Sequence, residues 1–278
     1  MPHTNPPDPA GTCPLAPREF EQIRRLAYDT CGIDLKHGKE ALVSARLRKP
    51  LLKAGARSYE EYYRWVRADA SGDALAEMID ALTTNHTAFL REPDHFRFLN
   101  EQLVPGWKRR GRVAIWCAAC ATGEEAWTLA FLLADAGLAT DGCVFASDVS
   151  RRAVRFASEA AYPGERCEAL PLAWKQRYFA GTEPKRMAVR PSFRRLVEFR
   201  QVNLVRPYTL GRAFPAIFCR NVMIYFDKAT QEAVVGRLAD HLEPGGYLFV
   251  GHAESLTGTS HPLEYVSPAI YRKPGGRR

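Results

Sequence analysis

The chain has 278 residues, 46 % hydrophobic and 25 % charged, a balance too apolar for a disordered protein and a length suited to one large domain or two. Thirty-nine Lys and Arg against 31 Asp and Glu leave a net charge of +8, which favours anionic partners (nucleic acid, acidic lipid or an acid-rich protein) without choosing among them. The longest wholly apolar run ends at Ala121, far short of the roughly 20 residues a helix needs to cross a bilayer, so a spanning helix is excluded.

The first residues, MPHTNPPDPAGTCPLAP, lack a basic segment followed by an apolar one, so no secretory signal is read and a cytoplasmic location is expected. Seven scattered cysteines do not form a disulfide framework; free thiols are expected.

Six of the first 17 residues are proline, so residues 1–17 are expected to be a disordered leader. From Arg18 to Thr30, Phe20, Ile23, Leu26 and Ala27 recur at helical spacing, and Gly32 suits a left-handed helix end. A second helix is predicted from about Gly38 to Lys53. Ser58 and Glu61 form a capping box ahead of Tyr59, Tyr62, Tyr63 and Val66, and a fourth helix carries Leu75, Met78, Ile79 and Leu82. Residues 18–90 thus read as an N-terminal helical bundle domain, and 91–278 as a second domain.

After Arg112 the pattern changes. VAIWC is a short β-prone run ending in a small-residue turn, followed by a helix from Gly123 to Ala136. CVFAS ends at Asp148 before a helix from Ser150 to Ala160; PAIFC and YLFVG read as buried strands around a helix from Asp227 to Leu242. This alternation predicts an α/β domain with a mainly parallel sheet covered on both faces. EYVSPAIYRKP is expected to be a last strand or hairpin with a loose tail after it. Met187 to Val189 and Leu196 to Phe199 are read as short antiparallel strands.

In an open α/β sheet the ligand binds beyond the carboxyl ends of the strands. The first strand ends in CAACATGEEAW, where Gly123 permits a close turn and the next helix offers free N–H groups. The second ends at Asp148, 25 positions later, a separation that suits an acid meeting the two hydroxyls of a ribose. One glycine and two acids, Glu124 and Glu125, make a poor pyrophosphate cradle, so a cofactor with cationic centres, S-adenosylmethionine, is favoured over a dinucleotide. Both glutamates also suit a helix N-terminus through its dipole alone. Cys117 and Cys120 have redox or half-zinc spacing, but no second CxxC or close His pair is present, and small buried thiols are the expectation. TTNHTAFLRE, residues 83–92, joins the two domains, and CRNVMIYF, residues 219–226, sets Arg220, Asn221 and Tyr225 where the pocket should open, although a tyrosine there suits a core equally.

TTNHTAFLREPDHF, WCAACATGEEAWTLA, VFASDVS, VNL, IFCRNVMIYFDKATQ and LEPGGYLFVGHAESL, in this order from about Phe20 to Lys273, resemble the CheR family, the S-adenosylmethionine-dependent methyltransferases of bacterial chemotaxis receptors. The resemblance implies a Rossmann-like methyltransferase domain with a small antiparallel β-subdomain inserted at about 162–199. It also implies methyl transfer to receptor glutamates, giving methyl esters and S-adenosylhomocysteine, with no metal. Carried over by position, the family's cofactor contacts fall on Asn85, Thr87, Arg91, Glu125, Asp148, Asn203, Leu204, Arg220 and Asn221, with Arg91 and Tyr225 near the reacting methyl. Asn203 and Leu204 come from the resemblance alone.

Four positions depart from the family pattern: Ala121 and Ala253 stand for serines, Leu90 for a second phenylalanine and Pro215 for an acid. The short stretch from Tyr178 to Phe199 suggests independence of a receptor's C-terminal pentapeptide. The implied partner is the helical bundle of a methyl-accepting receptor, with recruitment to membrane-bound receptor arrays and a monomeric enzyme expected. Between Arg18 and Arg67, twelve Lys and Arg face seven Asp and Glu, and Arg46, Arg48, Lys49, Lys53 and Arg57 offer a basic face for it. The alternatives are a nucleic-acid methyltransferase, disfavoured because NPPY and DPPY are absent, and a non-catalytic S-adenosylmethionine-sensing scaffold.

Overall fold

A computed structural model describes residues 14–180 and 185–275, and the chain divides at Thr84/Asn85 into two compact units. The leader up to residue 13 and the last three residues of the tail lie outside the described residues.

The smaller unit holds α1 (Pro17–Cys31), α2 (Glu40–Lys53), α3 (Tyr59–Ala68) and α4 (Asp73–Leu82). α1 buries the predicted stripe of Phe20, Ile23, Leu26 and Ala27 and ends at Gly32, whose φ of 74° is the left-handed cap. Ser58 caps α3 by accepting the Glu61 N–H at 3.1 Å, but Glu61 returns its carboxylate to the Arg57 N–H, one residue earlier than a capping box requires. On α4, Ala74 rather than Leu75 joins Met78, Ile79 and Leu82 in the core. Arg46, expected on a free basic face, instead caps the end of α4, donating to the Leu82 carbonyl at 2.6 Å and to Thr84 Oγ1 at 2.7 Å. Lys53 is paired with Glu77 at 2.9 Å.

The larger unit opens with α5 (Pro93–Phe98) and, after a π-helical turn, α6 (Val104–Arg110). Then come β1 (Ile115–Ala118), α7 (Glu124–Asp135), β2 (Val144–Asp148) and α8 (Arg151–Glu159). β3 (Ala161–Pro163), α9 (Leu172–Tyr178), β4 (Phe179–Ala180), β5 (Arg186–Val189) and α10 (Pro191–Arg194) follow. β6 (Val197–Gln201), β7 (Phe214–Cys219), α11 (Lys228–Asp240), β8 (Leu242–Phe249), β9 (Glu264–Ser267) and β10 (Ile270–Arg272) complete it.

Seven strands form one sheet in the order β6-β2-β1-β7-β8-β10-β9, mostly parallel, with β10 antiparallel to both neighbours. Strand order reverses between β1 and β7, the switch point beyond which an open sheet binds ligands. Successive residues of β1 enter different cores: Ile115 and Cys117 pack in one, Trp116 and Ala118 in the other. Burial on both faces explains why these strands read as unbroken apolar runs. Ser150 and Asp227 cap α8 and α11 through the N–H groups of Ala153 and Thr230.

Two boundaries differ from the sequence reading. The segment from Asn85 to Leu90 belongs to the larger unit, because Phe89 packs edge-on against Tyr162 and Phe179 and the Leu90 N–H donates to Thr128 Oγ1. The antiparallel insertion is a three-stranded sheet, β3-β5-β4, and does not extend to Phe199. β6 instead pairs in parallel with β2 along its length, so that Gln201 stands opposite Asp148.

Candidate active site

The segments at or just past the carboxyl ends of β1, β2, β6 and β7 carry Glu125, Asp148, Asn203, Leu204, Arg220, Asn221 and Tyr225 of the sequence-selected residues. After β1 the chain turns through three positive-φ residues, Ala119 (64°), Ala121 (47°) and Gly123 (93°). Only glycine suits the last of these, since a Cβ there would lie 2.6 Å from the Ala157 Cβ. Asp148 holds the turn: Oδ2 accepts the Ala121 N–H and Oδ1 the Ser150 N–H, both at 2.9 Å. The carboxylate is thereby fixed at the end of β2 beside the first turn of α7.

The two acids of that turn take different partners. Buried Glu124 accepts from Thr122 Oγ1 at 2.6 Å and pairs with Arg166 of the insertion at 2.9 Å. Glu125 pairs with Arg220 at 2.5 Å and accepts the Cys117 thiol at 3.3 Å. Both glutamates are thus held by specific cations, beyond any interaction with the helix dipole.

Arg220 is the hub. Its side chain is 1 % exposed, and it reaches Glu125, Glu92 at 2.8 Å and the Arg91 carbonyl at 2.7 Å, with Phe96 against its face. Glu92 also accepts Asn221 Nδ2 at 3.1 Å and the His252 N–H at 3.2 Å. Burial works against ionised Glu92, but the hydrogen bond and charge of Arg220, with Asn221 and the His252 N–H, outweigh it and bring the carboxyl down to about 2. Leu90, Glu92 and Asn221 all take positive φ, 56–57°, so the backbone around this hub is strained where non-glycine residues rarely sit.

A carboxyl whose folded pKa lies below its unfolded value stabilises the fold above the unfolded pKa, and that stability is lost as pH falls through the folded one. The stability difference between the wild type and Glu92→Gln should therefore be largest above pH 4.5 and shrink steadily towards pH 2, by at most about 3 kcal/mol. Urea denaturation of both chains across that range checks it; a pH-independent difference would contradict the pairing.

A second buried acid, Glu254, organises the loop after β7. It accepts the N–H groups of Gly251 (2.6 Å), Asn221 (2.7 Å), Met223 (2.7 Å) and Ile224 (3.3 Å). Burial raises its pKa although all four N–H groups favour the anion. Its loop presents Tyr225, half-buried rather than in the core.

The remaining sequence-selected residues lie on the neighbouring segments. The Arg91 guanidinium donates to the His86 carbonyl at 3.1 Å and is half-buried. Asn203 accepts the Val205 N–H at 3.1 Å and Leu204 is buried, both just past β6, where the Val202 N–H donates to the Asp148 carbonyl at 3.1 Å. Asn85 and Thr87 share the segment that leads into Arg91, and the side chain of Thr87 makes no hydrogen bond among the described residues. Sequence reading missed Glu92, Glu254 and Arg166. Only the acid beside Arg91 and the acid in GHAES marked the first two.

All six described cysteines are free and buried. Burial pushes the thiols of Cys117 and Cys120 far up, the reverse of what a metal-binding or redox-active thiolate needs, so the CxxC is a pair of packed thiols.

Comparison with known proteins decides the family. Residues 85–271 match the family model described as the CheR methyltransferase, SAM binding domain, and residues 18–83 match the CheR methyltransferase, all-alpha domain. The chain belongs to the CheR methyltransferase family. It is 38 % identical over 259 residues to chemotaxis protein methyltransferase 2 of Pseudomonas aeruginosa, covering 91 % of this chain and 92 % of that one. It is 37 % identical over 263 residues to the chemotaxis protein methyltransferase of Salmonella typhimurium, covering 92 % and 90 %. The Borreliella burgdorferi chemotaxis protein methyltransferase is 32 % identical over 266 residues, covering 92 % and 94 %. As a CheR methyltransferase, the chain is an S-adenosylmethionine-dependent enzyme whose larger unit carries the cofactor domain. Among the described residues no helix is long and apolar enough to cross a membrane.

Proposed function

We propose that this CheR methyltransferase transfers the methyl group of S-adenosylmethionine to glutamate side chains on the cytoplasmic helical bundle of a methyl-accepting chemotaxis receptor, forming glutamate methyl esters. One observation carries the cofactor half of this reading: Asp148 is fixed at the carboxyl end of β2 against a turn with a single glycine. That is an acceptor for a ribose diol without a glycine-rich cradle for pyrophosphate. The relatives, named chemotaxis protein methyltransferases over nine-tenths of this chain, support the receptor half.

In this reading Asp148 holds the ribose, Asn203 and Leu204 lie along the adenine, and Asn85, Thr87, Arg91, Glu125, Arg220 and Asn221 surround the amino-acid end. When bound, S-adenosylmethionine supplies an activated methyl on a sulfonium. The acceptor glutamate is already ionised at neutral pH, its reference pKa being about 4.3, so the protein needs no general base and no metal. Its residues align the acceptor and exclude water, a proximity effect worth up to roughly 7–11 kcal/mol. Arg91, with only part of its guanidinium used by the His86 carbonyl, orients the incoming carboxylate through charge-assisted bonds. The Tyr225 hydroxyl assists from the facing loop.

Arg91→Ala should lower turnover by about a hundredfold and Tyr225→Phe by about tenfold, with affinity for S-adenosylhomocysteine reduced less in both. Base-labile transfer of labelled methyl to a receptor fragment measures this, and wild-type rates in both variants would remove the role assignment. Transfer to DNA with steep salt dependence would instead favour a nucleic-acid enzyme, and cofactor binding without transfer would favour a scaffold.

For receptor docking the basic face of the smaller unit is reduced by the hydrogen bonds of Arg46 and the ion pair of Lys53 with Glu77. Lys49 and Arg57 are exposed and make no side-chain hydrogen bond or ion pair among the described residues. Reversing both charges should raise KM for the receptor fragment about fivefold and leave binding of S-adenosylhomocysteine unchanged. An unchanged KM would make this face a merely solvated one. The enzyme is further proposed to act as a monomer, without a receptor pentapeptide and alongside receptor arrays.

A further inference from the structure

Beside the Arg220 hub lies a histidine that the proposed function does not use. His95, on α5, is 1 % exposed, and neither ring nitrogen has a hydrogen-bond partner. Its ring meets the edge of Phe249 at 5.6 Å and the ring of His252 at 4.8 Å between centroids. A buried polar atom without a partner costs about 1–3 kcal/mol, so two on one imidazole call for a physical account. Burial, with the charges of Arg220 and His252, pushes the ring down to about 4 against the weaker opposing pull of Glu92 and Asp94. An imidazole binds a metal ion through the lone pair of a neutral ring nitrogen, and both nitrogens of His95 are open to one.

That lone pair has neighbours of the right kind. Nδ1 lies 3.7 Å from Glu92 Oε2, and one donor atom each from Glu92, His95 and His252 lies within 4.8 Å of the other two. A cavity of about 250 Å3, lined in part by Asp94, His95 and His252, adjoins the group, and His252 is exposed. Access from solvent and a nearby second carboxylate are thus both present.

We infer that Glu92, His95 and His252 form an inhibitory binding site for a divalent transition-metal ion of the Zn2+ class. Two imidazoles and one carboxylate match the three protein ligands of an open zinc site, with water as the fourth, whereas Mg2+ and Ca2+ require more oxygen donors. Tetrahedral zinc at these bond lengths sets its ligand atoms about 3.4 Å apart. The exposed His252 ring supplies the needed movement by turning inward. Arg220 opposes the ion by its charge and by its hold on Glu92 Oε2, so the ion and the guanidinium compete for one carboxylate. Where the ion wins, Glu92 gives up its grip on Arg220 and Asn221, and the pocket edge they form loosens. This second half, the inhibition, rests on the proposed role of those two residues at the cofactor.

The test is calorimetric titration of the full chain with zinc chloride in a non-chelating buffer, for the wild type and His252→Ala. His252→Ala removes an exposed side chain and retains the backbone N–H that Glu92 accepts. The expected result is one Zn2+ per chain, bound at least about tenfold more weakly by the variant, with no Mg2+ binding at this site. Equal zinc affinity in the two proteins, or no zinc binding by the wild type, would overturn the site. In a second titration, Zn2+ should weaken S-adenosylhomocysteine binding about fivefold in the wild type and leave His252→Ala unaffected. Zinc binding that depends on His252 with no effect on S-adenosylhomocysteine would support the site and overturn the inhibition. Failure of S-adenosylhomocysteine to bind even without zinc would contradict the proposed pocket instead, and the first titration would still decide the metal site.

Discussion

Arg220→Ala should destabilise the larger unit by about 3–5 kcal/mol, because removing one partner from a buried ion-pair network leaves the other charges without compensation. Here one guanidinium serves two carboxylates, Glu125 at 2.5 Å and Glu92 at 2.8 Å, and also the Arg91 carbonyl at 2.7 Å. The side chains of Glu125 and Glu92 are only 9 % and 15 % exposed, so water does not replace the lost charge. The expected fall in Tm is about 10 °C for a unit of this size. Arg220→Lys retains the charge but cannot fork between two carboxylates, and should recover about half of the loss. S-adenosylhomocysteine binding should fail in both variants, since Glu125, Arg220 and Asn221 form one edge of the proposed pocket. An Arg220→Ala chain with wild-type stability would show that the network contributes nothing to the fold.

Glu254→Ala should have an effect of similar size through backbone groups. Its carboxylate is the acceptor for four N–H groups on two loops, three of them at 2.7 Å or less. Charge-assisted bonds of this kind contribute about 1.5–3 kcal/mol each, and their loss strands buried donors. A loss of about 3–5 kcal/mol is expected on that basis, measured by chemical denaturation. The packing around the carboxylate is tight as well: a Cβ on Gly251 would lie 2.5 Å from Asn221 Nδ2. Since the same loop carries Asn221 and Tyr225, Glu254→Gln, which keeps one acceptor oxygen, should fold with roughly half the loss and turn over slowly. Full turnover in Glu254→Gln would separate the loop from the chemistry.

Glu92 and Glu254 show where sequence reading stops. Strands such as β1, β2 and β7 are legible because burial on both faces leaves apolar runs bounded by polar turns, and helix starts at Ser58, Ser150 and Asp227 are legible because the cap bonds to a residue three positions on. β6 was less legible. VEFRQ mixes charge with apolar residues as an edge strand does, and nothing local says that its partner is β2 rather than the insertion. That ambiguity is also why Asn203 and Leu204 could not be derived from spacing: their place beside Asp148 depends on the parallel β2–β6 pairing. Asp148 and the Gly123 turn follow from a βαβ spacing, whereas the bond from Glu92 to Arg220 spans 128 positions. Arg46 read as surface charge for the same reason, its carbonyl partner being 36 positions away.

The departures from the family pattern also gain meaning from the backbone. Leu90 and Ala121 both occupy positive φ, and Pro215 stands where the β7–β8 register shifts, a place where a strand tolerates a missing N–H.

Calorimetric titration with S-adenosylhomocysteine and, separately, NAD tests the proposed S-adenosylmethionine pocket at the carboxyl ends of β1 and β2. Asp148 would lose both the diol contact and its grip on Ala121 and Ser150 when replaced by alanine. Micromolar binding of S-adenosylhomocysteine, weakened at least about a hundredfold in Asp148→Ala, and no binding of NAD are expected. Binding of NAD with none of S-adenosylhomocysteine would contradict that pocket.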